Sequence, residues 1–171
     1  MATTATNNQD INPEFLGAVL AAVQEGATLG DVAGIEQPQL EALYALGYRL
    51  YSAGNFRDAT TIFQSLCLYD YSDRRFWMGL AGSQQGAGNL EQAAEAYGLA
   101  GVRGDLQDPE PFYYAALCFL KLGKLEETRA TLEGIARMET PTDENRAVFK
   151  QKAADMLEVI RLQTEGKGVL Q

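Results

Sequence analysis

One helical hairpin recurs three times in this chain. The blocks Leu43-Tyr44-Ala45-Leu46-Gly47, Trp77-Met78-Gly79-Leu80-Ala81 and Phe112-Tyr113-Tyr114-Ala115-Ala116 each carry a large apolar residue and then small residues one turn later. Each block runs on to a turn glycine, and these glycines, Gly54, Gly88 and Gly123, are 34 and then 35 residues apart. Beyond each glycine comes a small residue (Ala59, Ala93, Thr128), a bulky one (Phe63, Tyr97, Leu132) and another apolar one (Leu66, Ala100, Ile135). A unit of two short helices cannot bury its apolar face alone, so successive copies have to stack.

That spacing is the period of a tetratricopeptide repeat. The expected fold is therefore all-α: a right-handed solenoid of three tetratricopeptide repeats with an N-terminal helical arm and a C-terminal capping helix. Residues 1–10, rich in Thr, Asn and Ala, form a disordered tail, and residues 11–165 a single domain. Within it the arm covers 11–37, the repeats 40–73, 74–107 and 109–142, and the capping helix 142–165, with a flexible tail at 166–171. Asn12 and Pro13 start a helix carrying Phe15, Leu16, Val19, Leu20 and Val23, which stops at Gly26. Ser72 is placed to cap the second repeat and Asp108-Pro109 the third. Thr142, Asp143 and Glu144 open the last helix, whose Val148, Met156, Leu157 and Ile160 seal the solenoid while Lys150 and Lys152 face water.

Composition narrows the function. With 46% hydrophobic residues in 171, one domain with a real core is expected. A net charge of −9 argues against binding a phosphate backbone, so no direct nucleic-acid partner is expected. Lys and Arg are absent from the first 48 residues, so the apolar stretch Leu16 to Val23 lacks the positive flank of a secretory signal, and it is too short to span a bilayer. A cytoplasmic location without a membrane partner follows as the expectation. Cys67 and Cys118 lie in apolar helical text and are expected to be buried free thiols; without histidine, neither a Cys-His nucleophile nor an ordinary zinc site can be assembled. The glycine-rich run from Gly79 to Gly88 lacks the preceding strand and the terminal Gly-Lys-Ser/Thr of a phosphate loop. Its glycines are expected to deepen a groove by leaving out side chains. No catalytic residue, metal or cofactor is expected, and the chain reads as a binding module and not an enzyme.

The first helix of each repeat lines the concave surface. From helical spacing, the inward residues are Tyr44, Tyr48 and Tyr51 in the first repeat, Met78, Gly82 and Gln85 in the second, and Tyr113, Leu117 and Leu120 in the third. The three tyrosines at i, i+4 and i+7 form an aromatic stripe beside a core stripe of Leu43, Leu46, Gly47 and Leu50, which leaves them to face a ligand. Co-chaperones of this fold that clamp a C-terminal carboxylate need Lys and Asn where this chain has Tyr44 and Tyr48. The groove has to read a neutral or apolar segment.

Several stretches carry a more specific likeness. Glu25-Gly26-Ala27-Thr28-Leu29-Gly30-Asp31-Val32, Leu43 to Tyr48, Tyr51-Ser52-Ala53-Gly54, Met78-Gly79-Leu80 and above all Phe63-Gln64-Ser65-Leu66-Cys67-Leu68-Tyr69-Asp70-Tyr71 resemble the class II type III secretion chaperones. This is the SycD/LcrH group, with its SicA/IpgC-like branch closest in pattern, and the resemblance covers roughly residues 13–165. It implies a small acidic bacterial cytosolic chaperone that binds two hydrophobic translocator proteins, one at a time, keeping them soluble and apart before export. It also implies a weak homodimer, with Ser65 and Tyr69 at positions of dimer contact, and an AraC-family transcription activator as a further partner. The alternative is a general tetratricopeptide adaptor that binds a peptide segment of a folded partner.

Overall fold

The computed structural model describes residues 13–139 and 143–168. The expected disordered tail at 1–10 and the capping role of Asn12 lie outside them. The elements are α1 (Pro13–Gln24), α2 (Leu29–Ala33), α3 (Gln37–Ser52), α4 (Phe56–Tyr69), α5 (Arg74–Gly86), α6 (Leu90–Arg103), α7 (Pro109–Lys121), α8 (Leu125–Arg137) and α9 (Glu144–Gly168). Among the described residues there is no strand. Helices α3 and α4, α5 and α6, and α7 and α8 form hairpins that stack in chain order, and α9 closes the stack against α7 and α8.

The three hairpin turns are built alike. Gly54, Gly88 and Gly123 sit at φ 77°, 86° and 74°, a region that costs glycine nothing and other residues about 1–2 kcal/mol. In each turn the residue after the glycine donates its N–H across the helix end: Asn55 to the Leu50 carbonyl, Asn89 to Gln84 and Lys124 to Phe119, all at 2.9 Å. These bonds satisfy carbonyls that the helix end leaves bare. The starts of α5, α7 and α9 are capped by carboxylates. The Arg75 amide donates to Asp73 at 2.8 Å, the Glu110 amide to Asp108 at 3.0 Å and the Asn145 amide to Asp143 at 2.8 Å. Ser72 does not cap α5 as expected. Its hydroxyl donates to Asp70 at 2.6 Å, and the carboxylate one residue later takes the cap.

The main core runs through α3 to α7 around Phe63, Leu66, Phe76, Leu80 and Tyr97, and a second cluster joins Ala116, Leu132, Ile135, Ala153 and Ile160 across α7, α8 and α9. Aromatic rings lock the hairpins together by lying on glycines. A Cβ on Gly79 would stand 2.2 Å from the Phe63 ring, one on Gly86 2.5 Å from Phe56, and one on Gly101 2.4 Å from Phe112. Gly47 approaches the same Phe63 ring from the other side, its hypothetical Cβ at 3.1 Å. The α5 glycines therefore do not simply hollow out a groove. Gly79 and Gly86 seat rings from the preceding hairpin, and Gly82 alone borders Tyr51, at 3.3 Å from a hypothetical Cβ.

Four further expectations are corrected. Leu46 is 37% exposed and leaves the core stripe, because α3 belongs to the first hairpin, packs chiefly on α4 and α5, and has no earlier repeat to cover its other side. Val148 is 48% exposed, while Phe149 and Ala153 make the inward contacts of α9. Lys150 is half-buried and donates to the Met138 carbonyl where exposure to water was expected. Helix α9 continues to Gly168, past the expected end near 165, since no helix breaker precedes Gly166. The arm is held lightly: α1 packs mainly on α2, α2 in turn meets α4, and Leu20 and Val23 are left 54% and 40% exposed.

Candidate peptide-binding groove

Helices α3, α5 and α7 enclose a hollow of about 570 Å³. Tyr44, Tyr48 and Tyr51 line its α3 side, Met78, Gly79, Gly82 and Gln85 come from α5, Tyr97 from α6, and Glu110 and Tyr114 from α7. The spacing of the α3 tyrosines puts them on one face, but they play different parts. Tyr44 packs into the core, its ring centroid 5.9 Å from both Phe63 and Phe76, so it is not merely beside the core as expected. Burial raises its phenol pKa. Tyr48 is 57% exposed, and Tyr51 leans edge-on against Phe56 at 5.7 Å between centroids.

The rim is polar and its charges are paired, although the buried Arg74 Nε has no hydrogen-bond partner among the described residues. Arg75 bonds Glu41 and Asp73, each at 2.6 Å, and its guanidinium lies 5.1 Å from the Tyr44 ring centre. The hydrogen bonds to Asp73 and then Glu41 hold Arg75 charged, and the bond from Arg75 lowers the Glu41 pKa in return. Arg74 spans to the next hairpin, with Asp108 at 2.8 Å and Glu110 at 3.0 Å, and Asp108 is buried where it caps α7. Tyr97 donates its hydroxyl to Gln85 at 2.8 Å, and burial pushes the Tyr97 pKa up. This arrangement offers aromatic faces and one amide, with the charges already paired along the edge. It can hold apolar side chains of an extended segment. It offers no activated nucleophile.

The sequence-derived groove residues do not all meet. Tyr44, Tyr48, Tyr51, Met78 and Gln85 share the hollow, Leu117 lines neither this hollow nor the next, and Tyr113 and Leu120 border a second hollow of about 390 Å³ between α7 and α9. Tyr114, one residue from the expected Tyr113, is the α7 aromatic in the first hollow; it stacks on Tyr97 at 5.3 Å. Adjacent tyrosines differ by about 100° around a helix, and spacing alone does not choose between them once the capping helix claims one side. Tyr97, the expected bulky core residue of its helix, is buried and also borders the hollow. Ser65 and Tyr69 are half-buried on α4, with the Ser65 hydroxyl donating to the Thr61 carbonyl at 3.1 Å.

Among the described residues, no group of three His, Cys, Asp or Glu is placed to hold a metal ion, and no helix is long and apolar enough to cross a membrane.

The family profile described as tetratricopeptide repeat matches residues 40–73 and 76–102. Low calcium response locus protein H of Yersinia pestis is 31% identical over 155 residues, 89% of each chain. That likeness decides the family. The chain belongs to the type III secretion translocator chaperones. Chaperone protein SicA of Salmonella dublin is 36% identical over 112 residues, 66% of this chain and 67% of SicA. The Yersinia enterocolitica type III secretion chaperone SycD, solved in complex with a peptide of the translocator YopD, superposes with a TM-score of 0.68 at 32% identity, covering 76% of this chain and 98% of SycD. This is a chaperone family and not an enzyme family, in keeping with a site that has aromatic faces and paired charges.

Cys67 and Cys118 are both buried. Burial, with Asp73 and Asp70 adding to it, pushes the Cys67 thiol from 9.0 up to about 12, and burial also raises Cys118. Reactivity follows the thiolate, so both thiols should label slowly at neutral pH in the folded chain and promptly in denaturant. The unfolded chain ionises Cys67 first. The contribution of this thiol to stability is therefore complete below pH 9 and is lost as pH rises toward about 12. Alkaline melting curves of the native chain and of a Cys67→Ala variant check the sign: the native chain should lose more stability over that window.

Proposed function

We propose that the chain is a bacterial cytosolic chaperone that holds two hydrophobic type III secretion translocators, one at a time, in the hollow between α3 and α7, keeping them soluble and apart before export. The observation that carries this reading is the uncovered aromatic face: Tyr48 and Tyr51 are 57% and 39% exposed over a hollow with aromatic faces and a polar rim, and such a surface marks an interaction site. SycD, a relative of the same fold, holds a translocator peptide. A few apolar anchors from an unfolded client gain roughly 1.5–3 kcal/mol each on burial, and ordering the client takes back much of it. Micromolar affinity for one short peptide is the result. No cofactor takes part. We keep the arm, three hairpins and capping helix as one functional domain.

A general adaptor that binds a segment of a folded partner would use the same hollow. The readings separate on the partner, because only a chaperone's client precipitates when expressed without it.

The weak homodimer is proposed to form through the arm, where Leu20 and Val23 lack cover, with Ser65 and Tyr69 as further candidate contacts. Sedimentation of a Leu20→Glu/Val23→Glu variant should give monomer; an unchanged dimer moves the interface elsewhere. The AraC-family activator is proposed on the family resemblance. An acidic chain acts on a promoter only through such a protein, so salt-sensitive DNA binding by the purified chaperone would refute that route.

The groove itself is tested with the YopD peptide. A Tyr48→Glu/Tyr51→Glu variant places charges where apolar side chains must sit, and binding should fall at least ~30-fold, about 2 kcal/mol. Both side chains are largely outside the core, so melting should change little. Tyr44 is unsuitable for this test because its ring packs on Phe63 and Phe76. Full binding by the folded double variant would remove the hollow from the mechanism.

A further inference from the structure

We infer that the second hollow, between α7 and α9, is an additional anchor site for the same client segment, so that the capping helix takes part in binding as well as sealing the fold. This rests on the proposed client groove. The second hollow, about 390 Å³, is lined by the apolar or aromatic Tyr113, Leu120, Met156 and Val159, with Lys152, Asp155 and Gln163 as its polar residues. Val159 is 54% exposed on the helix that ends the stack, so the hollow opens to solvent and is not closed by the cap's own packing.

The two hollows are continuous through aromatic rings. Tyr114 belongs to the first and Tyr113 to the second, with their centroids 6.0 Å apart. Phe149 of α9 lies 5.6 Å from Tyr114 and 5.7 Å from Tyr113, so one side chain of the capping helix braces both. A client chain leaving the first hollow over Tyr114 therefore meets Tyr113 and then α9. Packed helices lie about 8–10 Å apart, and extended chain covers about 3.3 Å per residue. The extra anchor falls roughly two to three residues beyond the last one held in the first hollow. The flanking charges are one of each sign, and Asp155 accepts from Gln151 at 2.8 Å while Lys152 lies 5.0 Å from the Phe149 ring centre. With no net charge at its edge, the site selects an aliphatic side chain.

The test uses the YopD peptide seen with SycD and versions lengthened at either end by a flexible six-residue segment carrying one leucine, or serine in its place. At one end, the leucine extension should bind the native chaperone about tenfold more tightly than the serine extension. Val159→Asp should abolish that difference and leave the affinity of the short peptide as it was. Val159→Ala, which disturbs the helix least, should lose part of the difference, so the result does not hang on one variant folding. Equal affinities for the leucine and serine extensions at both ends, or a difference that survives Val159→Asp, would overturn the second site alone. Failure of the native chain to bind any of the peptides would overturn the first hollow and this site with it.

Discussion

The stacking of the first two hairpins, on which the site depends, is set by the contact of Phe63 with two bare helix backbones. The ring is 1% exposed and sits between Gly47 of its own hairpin and Gly79 of the next. Each glycine inside a helix costs about 1 kcal/mol in propensity, and burying one phenyl side chain returns roughly 1.5–3 kcal/mol. The exchange is close to even in stability. What it provides is position: the ring fixes how near α5 comes to α3, and that separation sets the mouth of the hollow bordered by Tyr48, Tyr51 and Met78. Phe56 on Gly86 repeats the device at the same junction, and Phe112 on Gly101 at the next.

Charge holds the later junctions in register. Asp108 is 2% exposed, caps α7, accepts from Arg74 of the preceding hairpin at 2.8 Å and lies 3.6 Å from Arg146 of the capping helix, which also meets Asp105 at 2.9 Å. A buried carboxylate is costly unless it is paired, and this one is paired from two directions. Such a group adds little net stability compared with an apolar replacement, yet it disfavours any stacking that would leave it alone. The same Arg74 borders the first hollow, so the order of the hairpins and the shape of the site are tied to one set of charges.

The repeat was legible in the sequence because its turns demand it. Only a left-handed residue closes those hairpin ends, and Gly54, Gly88 and Gly123 mark them at the repeat spacing. The tyrosines of α3 were legible because one helix displays them at helical intervals. The rest depended on neighbours that spacing does not record. Leu46 looked like core until the absence of an earlier hairpin exposed it, and Val148 and Phe149, adjacent in sequence, divided between water and the aromatic cluster. Likewise the spacing pointed to Ser72 as the cap of α5, and the carboxylate of Asp73 takes that place because it accepts more strongly at a helix start. The α5 glycines were seen as missing side chains, while the rings that fill the space come from residues about 16 to 30 positions earlier in the chain.

The role of the Phe63 junction is measured most directly by a double-mutant cycle on Phe63→Leu and Gly79→Ala, read by melting. Helix propensity alone makes Gly79→Ala stabilising by about 1 kcal/mol. The interlocked ring predicts the opposite sign, a loss of about 1–3 kcal/mol, because the new methyl has nowhere to go. In the Phe63→Leu background most of that loss should vanish, giving a coupling of at least ~1 kcal/mol. Gly134→Ala, at a helical glycine with open space around it, should stabilise as propensity requires. A stabilising Gly79→Ala, or effects at the two sites that simply add, would contradict the account.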